Sequence, residues 1–281
     1  MELSNLEKTV TGHFKYLPQL LGFDVRESER LHIVNCRLDS SMFNVVCNTH
    51  LQEWAKNQHN VEYFDSSYKA ISRGFYIYDE GFVRKKIQEV IDFFEKQSFA
   101  WWVGPSCDPY WIRGILNEMQ FKNNSTEYAM ACDLSKYKNS DSSQTDIVHV
   151  LNFAQLEDYI NVIEPYDVSA RSFYEKIKEW MLKENEKLFV GYEQGIPVVI
   201  ASLYIDRENG SAAVFNLITK EDKRGRGLGT QMMHHLLNYA KDAYLNYACL
   251  LASSDSGYRI YQRLGFEELG QFDCFEWVGR K

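Results

Sequence analysis

Between Arg224 and Thr230 the chain reads Arg-Gly-Arg-Gly-Leu-Gly-Thr, and these residue types in this order can cradle an anion. Glycines let the backbone turn with positive φ and approach a ligand closely. Where a helix opens, its first N–H groups lack main-chain acceptors and, with the helix dipole, favour an anion. Arg224 and Arg226 add positive charge where a diphosphate would lie. Spacing excludes two common nucleotide loops. A dinucleotide fingerprint needs G-x-G-x-x-G and an acid about 20 residues on, at the end of the next strand. Here the glycines fall at 225, 227 and 229, and the acid nearest that distance, Asp242, falls in a predicted helix. A P-loop needs Gly-Lys-Ser/Thr, and no lysine follows these glycines. A glycine-rich turn without a ligand is the plain alternative.

The flanking stretches must position this loop. Ile147 to Leu151 reads as a short apolar strand, and Ala154 to Tyr159 and Ser172 to Lys183 as helices, the latter with Phe173, Ile177, Trp180 and Met181 on one face. Leu188 to Tyr192 and Val198 to Ile205 are strand candidates around Gln194-Gly195. Asn209-Gly210 is a hairpin signal leading into the strand that ends at Ile218. After the loop, Leu228, Met232, Leu236 and Ala240 recur at helical spacing as a core stripe. Tyr247 to Ala252 reads as a buried strand, Tyr258 to Arg263 as a short helix and Gln271 to Val278 as a closing strand.

Arg224, Gly227 and Gly229 fit Arg-x-x-Gly-x-Gly, and Tyr261 to Phe266 fits Tyr-x-x-x-Gly-Phe. Together with the element order, these two motifs resemble the GCN5-related N-acetyltransferase (GNAT) superfamily. The resemblance implies an acetyl-CoA-dependent transfer of an acetyl group to a primary amine, with acetyl-CoA as co-substrate and no metal. It implies that the main chain at Leu217, Ile218 and Thr219 holds the thioester arm. The diphosphate falls to Arg224, Gly225, Arg226, Gly227, Leu228, Gly229 and Thr230. Tyr261 is placed to protonate the departing thiolate. An ordinary phenol has a pKa near 10 and a thiol near 8.5, so that transfer is slightly uphill in water and feasible in an organised hydrogen bond. The plain alternative is a Tyr261 that only packs its ring.

Two positions depart from the pattern. Ser254 stands seven residues before Tyr261, where many relatives carry an asparagine that contacts coenzyme A, and Thr219 replaces a small aliphatic residue. The base is a harder gap. A protonated amine with a pKa near 10.4 must lose a proton before it attacks, and Ser211 to Ile218 contains no carboxylate. Asp255 is a candidate, more readily read as a solvated or helix-capping residue. Deprotonation through a water held by Asn216 is the preferred reading. The segment Glu164 to Ser169 is expected, from the resemblance, to border the acceptor cleft.

The first half repeats the later order: helix Phe82 to Glu95, strand Phe99 to Val103, helix Tyr110 to Met119 and strand Glu127 to Leu134. Setting Phe121 on Phe266 places Ile115 on Ile260, Leu116 on Tyr261 and Met119 on Leu264. Apolar positions are shared and chemistry is not. In place of the cradle stands Tyr78-Asp79-Glu80-Gly81, whose acids would repel a diphosphate. The expected fold is therefore α/β, with two GNAT-like domains, each a mixed, mostly antiparallel twisted sheet flanked by helices. Residues 1–140 would be a degenerate copy and 146–281 the catalytic domain, joined by the polar linker Ser135 to Asp146. Chance similarity of two α/β segments is the alternative. The tryptophans of Trp101-Trp102-Val103-Gly104-Pro105-Ser106 would fill the inter-domain core or line a cleft, with packing favoured.

Global features agree with this reading. A chain of 281 residues, 45% hydrophobic, suits two domains. No apolar run reaches membrane-spanning length and no basic-then-apolar leader opens the chain, so a cytoplasmic protein is expected. The six cysteines are scattered without CxxC pairs, which suggests neither disulfides nor zinc. A net charge of −8 argues against a nucleic-acid surface. The expected partner is a small-molecule or peptide amine. A coenzyme A-binding module without catalysis, or another acyl or aminoacyl transferase on the same fold, are the alternatives.

Overall fold

The computed structural model describes residues 1–28, 30–51, 80–138, 145–179 and 185–279, together with the backbone of four short strands between 53 and 77. Trp180 and Met181 of the expected second helix, Tyr78-Asp79, and residues 139–144 of the expected linker lie outside the described residues.

In the second half the elements follow the sequence pattern closely. Strand β10 (Asp146–His149) precedes helices α4 (Phe153–Ile163) and α5 (Ser169–Tyr174). Three antiparallel strands follow: β11 (Glu186–Glu193), β12 (Ile196–Asp206) and β13 (Ser211–Thr219). Helix α6 (Leu228–Asp242) leads to β14 (Tyr247–Ala252), α7 (Asp255–Arg263) and β15 (Phe266–Trp277). The stripe Leu228, Met232, Leu236 and Ala240 is buried against the sheet, as its helical period requires. α5 stops at Tyr174 and continues as a 3₁₀ turn, Glu175–Glu179, where one helix was expected. β15 starts five residues earlier than the expected closing strand.

The first half opens with α1 (Leu3–Leu20), which the sequence reading did not place, followed by β1 (Asp24–Glu27), β2 (His32–Asn35) and β3 (Val45–Cys47). The short strands β4 (Glu53–Ala55) and β7 (Phe75–Ile77) pair with each other, as do β5 (Tyr63–Phe64) and β6 (Ala70–Ile71). Helix α2 (Glu80–Phe94) buries Val83, Ile87, Val90, Ile91 and Phe94 along one face. β8 (Phe99–Val103), α3 (Ile112–Glu118) and β9 (Lys122–Asp133) complete the half.

Eleven of the described strands form one sheet in the order β1-β2-β3-β8-β15-β9-β14-β13-β12-β11-β10. The order mirrors itself about the β15–β9 pair, except that β10 has no counterpart among the described strands of the first half. In each half a parallel pair, β3 with β8 and β13 with β14, is followed by an antiparallel long strand. That long strand comes from the other half: β15 pairs with β8, and β9 pairs with β14. The halves have exchanged their last strands, and β15 and β9 pair with each other at the centre, from Phe266↔Cys132 to Glu276↔Lys122.

α1 ties the halves together a second time. Leu6 and Val10 pack on Ala129, Phe272, Ala213 and Cys249. The buried Thr9 hydroxyl donates to Asp206 Oδ2 at 3.0 Å and lies 2.7 Å from Ser211 Oγ, while Glu7 Oε1 accepts from the Ser106 N–H at 2.9 Å. Polar groups that bridge elements this deep must be paired, which fixes the helix register. Among the described residues no helix is long and apolar enough to cross a membrane, and all six cysteines are free and buried.

Candidate active site

The site starts from a break in the sheet. β13 and β14 run parallel from Ser211↔Tyr247 to Val214↔Leu250 and pair no further, although β13 continues to Thr219. On its other side β13 keeps β12, but the register slips between Ile200 and Ser202, opposite Ile218 and Phe215. Asn216 sits in that slip with φ at +51°, a conformation that asparagine tolerates better than most side chains. Its Nδ2 donates to the Tyr174 hydroxyl at 3.0 Å. The bulge and the lost pairing leave the β14-side edge of Phe215 to Thr219 without a strand partner. A cleft of about 630 Å³ opens there.

Leu217, Ile218 and Tyr261 line this cleft. Asn216 lines it too, together with Tyr166 and Asp167 of the segment Glu164 to Ser169. Thr219 ends β13 at the rim, where its carbonyl accepts from Arg224 Nε at 3.3 Å.

The cradle follows at once. Gly225 and Gly227 have φ at +76° and +80°, which only glycine adopts without strain, and Gly227 is the residue from which α6 opens. A β-carbon on either would meet nothing within 4 Å, so backbone conformation and not crowding calls for glycine there. At Gly229 a β-carbon would touch only Thr219 Oγ1, at 3.6 Å. Leu228 turns into the core with 3% of its surface exposed, while the start of α6, through Gly229 and Thr230, faces outward. Both arginines hold protein partners: Arg224 donates to the Tyr166 hydroxyl at 2.7 Å and Arg226 to Glu193 at 2.8 Å. Residues 224–230 thus form a glycine turn that opens α6 next to the rim of the cleft.

Tyr261 lies on α7, which begins where β14 ends. Ser254 caps that helix, its Oγ accepting from the Gly257 N–H at 3.2 Å. The hydroxyl that sequence reading offered to coenzyme A is engaged by the helix, and Ser253, not Ser254, lines the cleft. Asp255 is the exposed first residue of α7, where the helix dipole favours an acid. The Tyr261 ring packs over Gly257, where a β-carbon would stand 3.2 Å from Cε2. Burial, and then the charge of Glu127, push the Tyr261 phenol up to about 12, so it holds its proton.

Several residues of the cleft come from the first half. His13 on α1 stacks on Phe215 with ring centroids 3.6 Å apart, its Nδ1 3.1 Å from Glu186 Oε2. Trp102 packs against Phe14 at 5.5 Å and lines the cleft, whereas Trp101 is fully buried and donates to Thr49 Oγ1 at 2.9 Å. One tryptophan therefore fills core and the other faces the cleft. Glu127 and Ser125 reach the cleft from β9, and Cys274 and Glu276 from β15. Burial pushes the Glu127 carboxyl up to about 7. Sequence reading missed Glu127 because nothing local marks it; it reaches the cleft through the strand exchange alone. The corresponding positions of the first half carry other side chains. Leu116 is fully buried, and Glu80, the first residue of α2, accepts from Arg84 Nε at 2.7 Å.

Residues 157–279 match the family model for the acetyltransferase (GNAT) domain. The whole chain superposes on a GCN5-related N-acetyltransferase from Kribbella flavida with a TM-score of 0.68 at 15% identity, covering 100% of this chain and 97% of that one. A GNAT-family protein from Novosphingobium aromaticivorans gives 0.57 at 10% identity, covering 99% of each chain. A tandem GNAT protein from the clavulanic acid biosynthesis pathway gives 0.52 at 12% identity, covering 73% of this chain and 72% of that one. At these identities the likeness is one of fold. No curated protein matches the sequence.

Proposed function

The chain carries a GNAT acetyltransferase domain over residues 157–279, and from this premise we propose that it transfers the acetyl group of acetyl-CoA to a primary amine. One observation carries the reading. The unpaired edge of β13 at Leu217 and Ile218 and the Tyr261 ring line one cleft, and the positive-φ glycine turn follows β13 directly, tied to the cleft residue Tyr166 through Arg224.

The residues present fit acetyl-CoA. The main-chain edge at Leu217, Ile218 and Thr219 offers unpaired groups to the pantetheine arm and the thioester oxygen. Fixed N–H groups of this kind stabilise the oxyanion that develops on attack. The start of α6, with Gly225, Gly227 and Gly229, receives the diphosphate, and the smallness of Gly229, which no protein contact requires, gives an oxygen room to approach. Arg224 and Arg226 exchange Tyr166 and Glu193 for phosphate oxygens. Tyr261, kept neutral by its surroundings, gives its proton to the sulfur as the C–S bond breaks. Ser254 caps α7 through its oxygen and keeps an exposed hydroxyl hydrogen that can be donated to coenzyme A.

The mirrored strand order and the matching lengths of β9 and β15 support reading residues 1–140 as a degenerate GNAT-like copy. Leu116 for Tyr261 and Glu80 at the start of α2 deprive it of both chemical motifs. Its retained part in the reaction is one wall of the acceptor cleft.

A thiol-release screen of amines, polyamines, aminoglycosides and peptides with acetyl-CoA tests the function. Amine-dependent release with formation of the N-acetyl product is expected. Saturable acetyl-CoA binding with no release from any class would leave only a binding module.

A further inference from the structure

Acetyl transfer to an amine needs a group to take the ammonium proton, and β13 supplies none: from Ser211 to Thr219 it carries no ionisable side chain. Asp255 is exposed outside the cleft. The acid that does stand in the cleft arrives from elsewhere in the chain. We infer that Glu127, carried into the acceptor cleft by the strand β9 that the first half lends to the second, is the base that takes this proton. The inference rests on the N-acetyltransferase reading.

Three geometric facts place it. β9 pairs with β14 up to Tyr128↔Ala252, so Glu127 comes one residue beyond the last pair, beside the end of β14 from which α7 departs. It lines the same cleft as Tyr261, Leu217 and Ile218, and its charge acts on the Tyr261 phenol. Its one hydrogen-bond partner is the Ser125 hydroxyl, at 3.3 Å, and no lysine or arginine lines the cleft among the described residues. A carboxylate that is half-buried and without a cation has an unmet demand for positive charge, which an incoming ammonium fills.

The other titratable groups around the cleft are either held more closely by protein partners than Glu127 is or kept protonated by burial. On the neighbouring β15, the Cys274 thiol is pushed up to about 12 by burial and Glu276 accepts from the Ser41 hydroxyl. Asp167 accepts from the Ser40 hydroxyl and from the Ser169 N–H. On α5, burial raises the Tyr174 phenol well above its usual value. Tyr166 accepts from Arg224. On α1, His13 is engaged with Glu186 and stacked on Phe215. Burial raises Glu127 itself to about 7, so it is a stronger base than an ordinary carboxylate and still ionises at neutral pH.

The step balances. The acceptor enters as R–NH₃⁺ and Glu127 takes one proton. The nitrogen lone pair forms the C–N bond, the C–S bond breaks, and sulfur takes the proton of Tyr261. The surplus proton on nitrogen returns to the Tyr261 oxygen, and Glu127 passes its own to water.

The test uses the full chain, with phenethylamine and the best amine of the screen as acceptors, and follows kcat/KM by thiol release from pH 6 to 10. The wild type should rise through a limb near pH 7. Glu127→Gln should lose about 10²- to 10³-fold at pH 7 and follow the amine's own deprotonation. It should converge on the wild type toward pH 10 and keep acetyl-CoA affinity by calorimetry. A residue with a merely structural role would not produce that convergence. A Glu127→Gln profile parallel to the wild type overturns the assignment and leaves the transferase reading intact. Absence of turnover in the wild type with every amine, acetyl-CoA still binding, overturns both.

Discussion

Arg224 donates to the Tyr166 hydroxyl at 2.7 Å. This bond joins the glycine turn to the segment between α4 and α5 that lines the cleft, so the proposed coenzyme A and acceptor sites touch through one exposed side chain. Arg224→Ala should weaken coenzyme A binding at least tenfold, in line with the loss of a charged hydrogen bond. Tyr166→Phe removes the tie but no phosphate contact and should change that affinity less than about threefold. Calorimetry with coenzyme A checks both, and unchanged affinity for Arg224→Ala would remove the cradle assignment.

Gly227 combines a φ of +80° with the position from which α6 opens. Gly227→Asp introduces a left-handed aspartate, costing about 1 kcal/mol, and a negative charge where the diphosphate lies. Coenzyme A affinity should fall at least tenfold, and the melting temperature by no more than a few degrees. The contrast between a large binding loss and a small stability loss separates a ligand effect from a folding defect.

Tyr261→Phe keeps the ring that packs over Gly257 and removes only the hydroxyl that would donate the proton. Turnover should drop by one to three decades while acetyl-CoA affinity holds. A variant as fast as the wild type would show that the thiolate is protonated by something else.

Exchange of β9 and β15 makes each half incomplete. A fragment of residues 1–140 has β8 and β9 without the β15 that lies between them, and 146–281 has β14 and β15 without β9. Neither fragment should be a stable monomer, and the intact chain should unfold in one cooperative transition. Separate transitions in calorimetry, or a well-folded monomeric 146–281 by size exclusion and circular dichroism, would contradict the coupling.

Stability should record the Glu127 environment without any acceptor. Burial holds its carboxyl at about 7 against an ordinary value of 4.5. Between those values the folded chain binds more protons than the unfolded one, so this group makes stability fall as pH rises. Glu127→Gln lacks the term. Relative to that variant the wild type should lose stability from pH 4.5 to about 7 and hold a constant gap above, read as urea midpoints at pH 4.5, 6 and 8. Parallel curves would mean that Glu127 titrates as an exposed carboxylate.

What could be read from the sequence was local. The cradle depends on glycines whose positive φ is a property of their own backbone, and on a helix that opens at Leu228 with a 3.6-residue apolar stripe. Tyr261 rides on a short helix capped by the Ser254 three residues before Gly257. Phe121 immediately precedes the twelve-residue β9, and Phe266 is the first residue of the twelve-residue β15. α1 is amphipathic, but its contacts across both halves have no local signature.

The tertiary structure decided which strands are neighbours. Alternating apolar residues identify a strand and its buried face but not its partner, so nothing in residues 122–133 or 266–277 announces that each crosses into the other half. Burial of both apolar faces at the centre of one sheet settles that choice. The crossing brings Glu127 and Trp102 to the cleft of Tyr261, and α1 adds His13. The sequence by itself determined the glycine turn and the helix that carries Tyr261; the acid beside them depends on a pairing between residues more than a hundred positions apart.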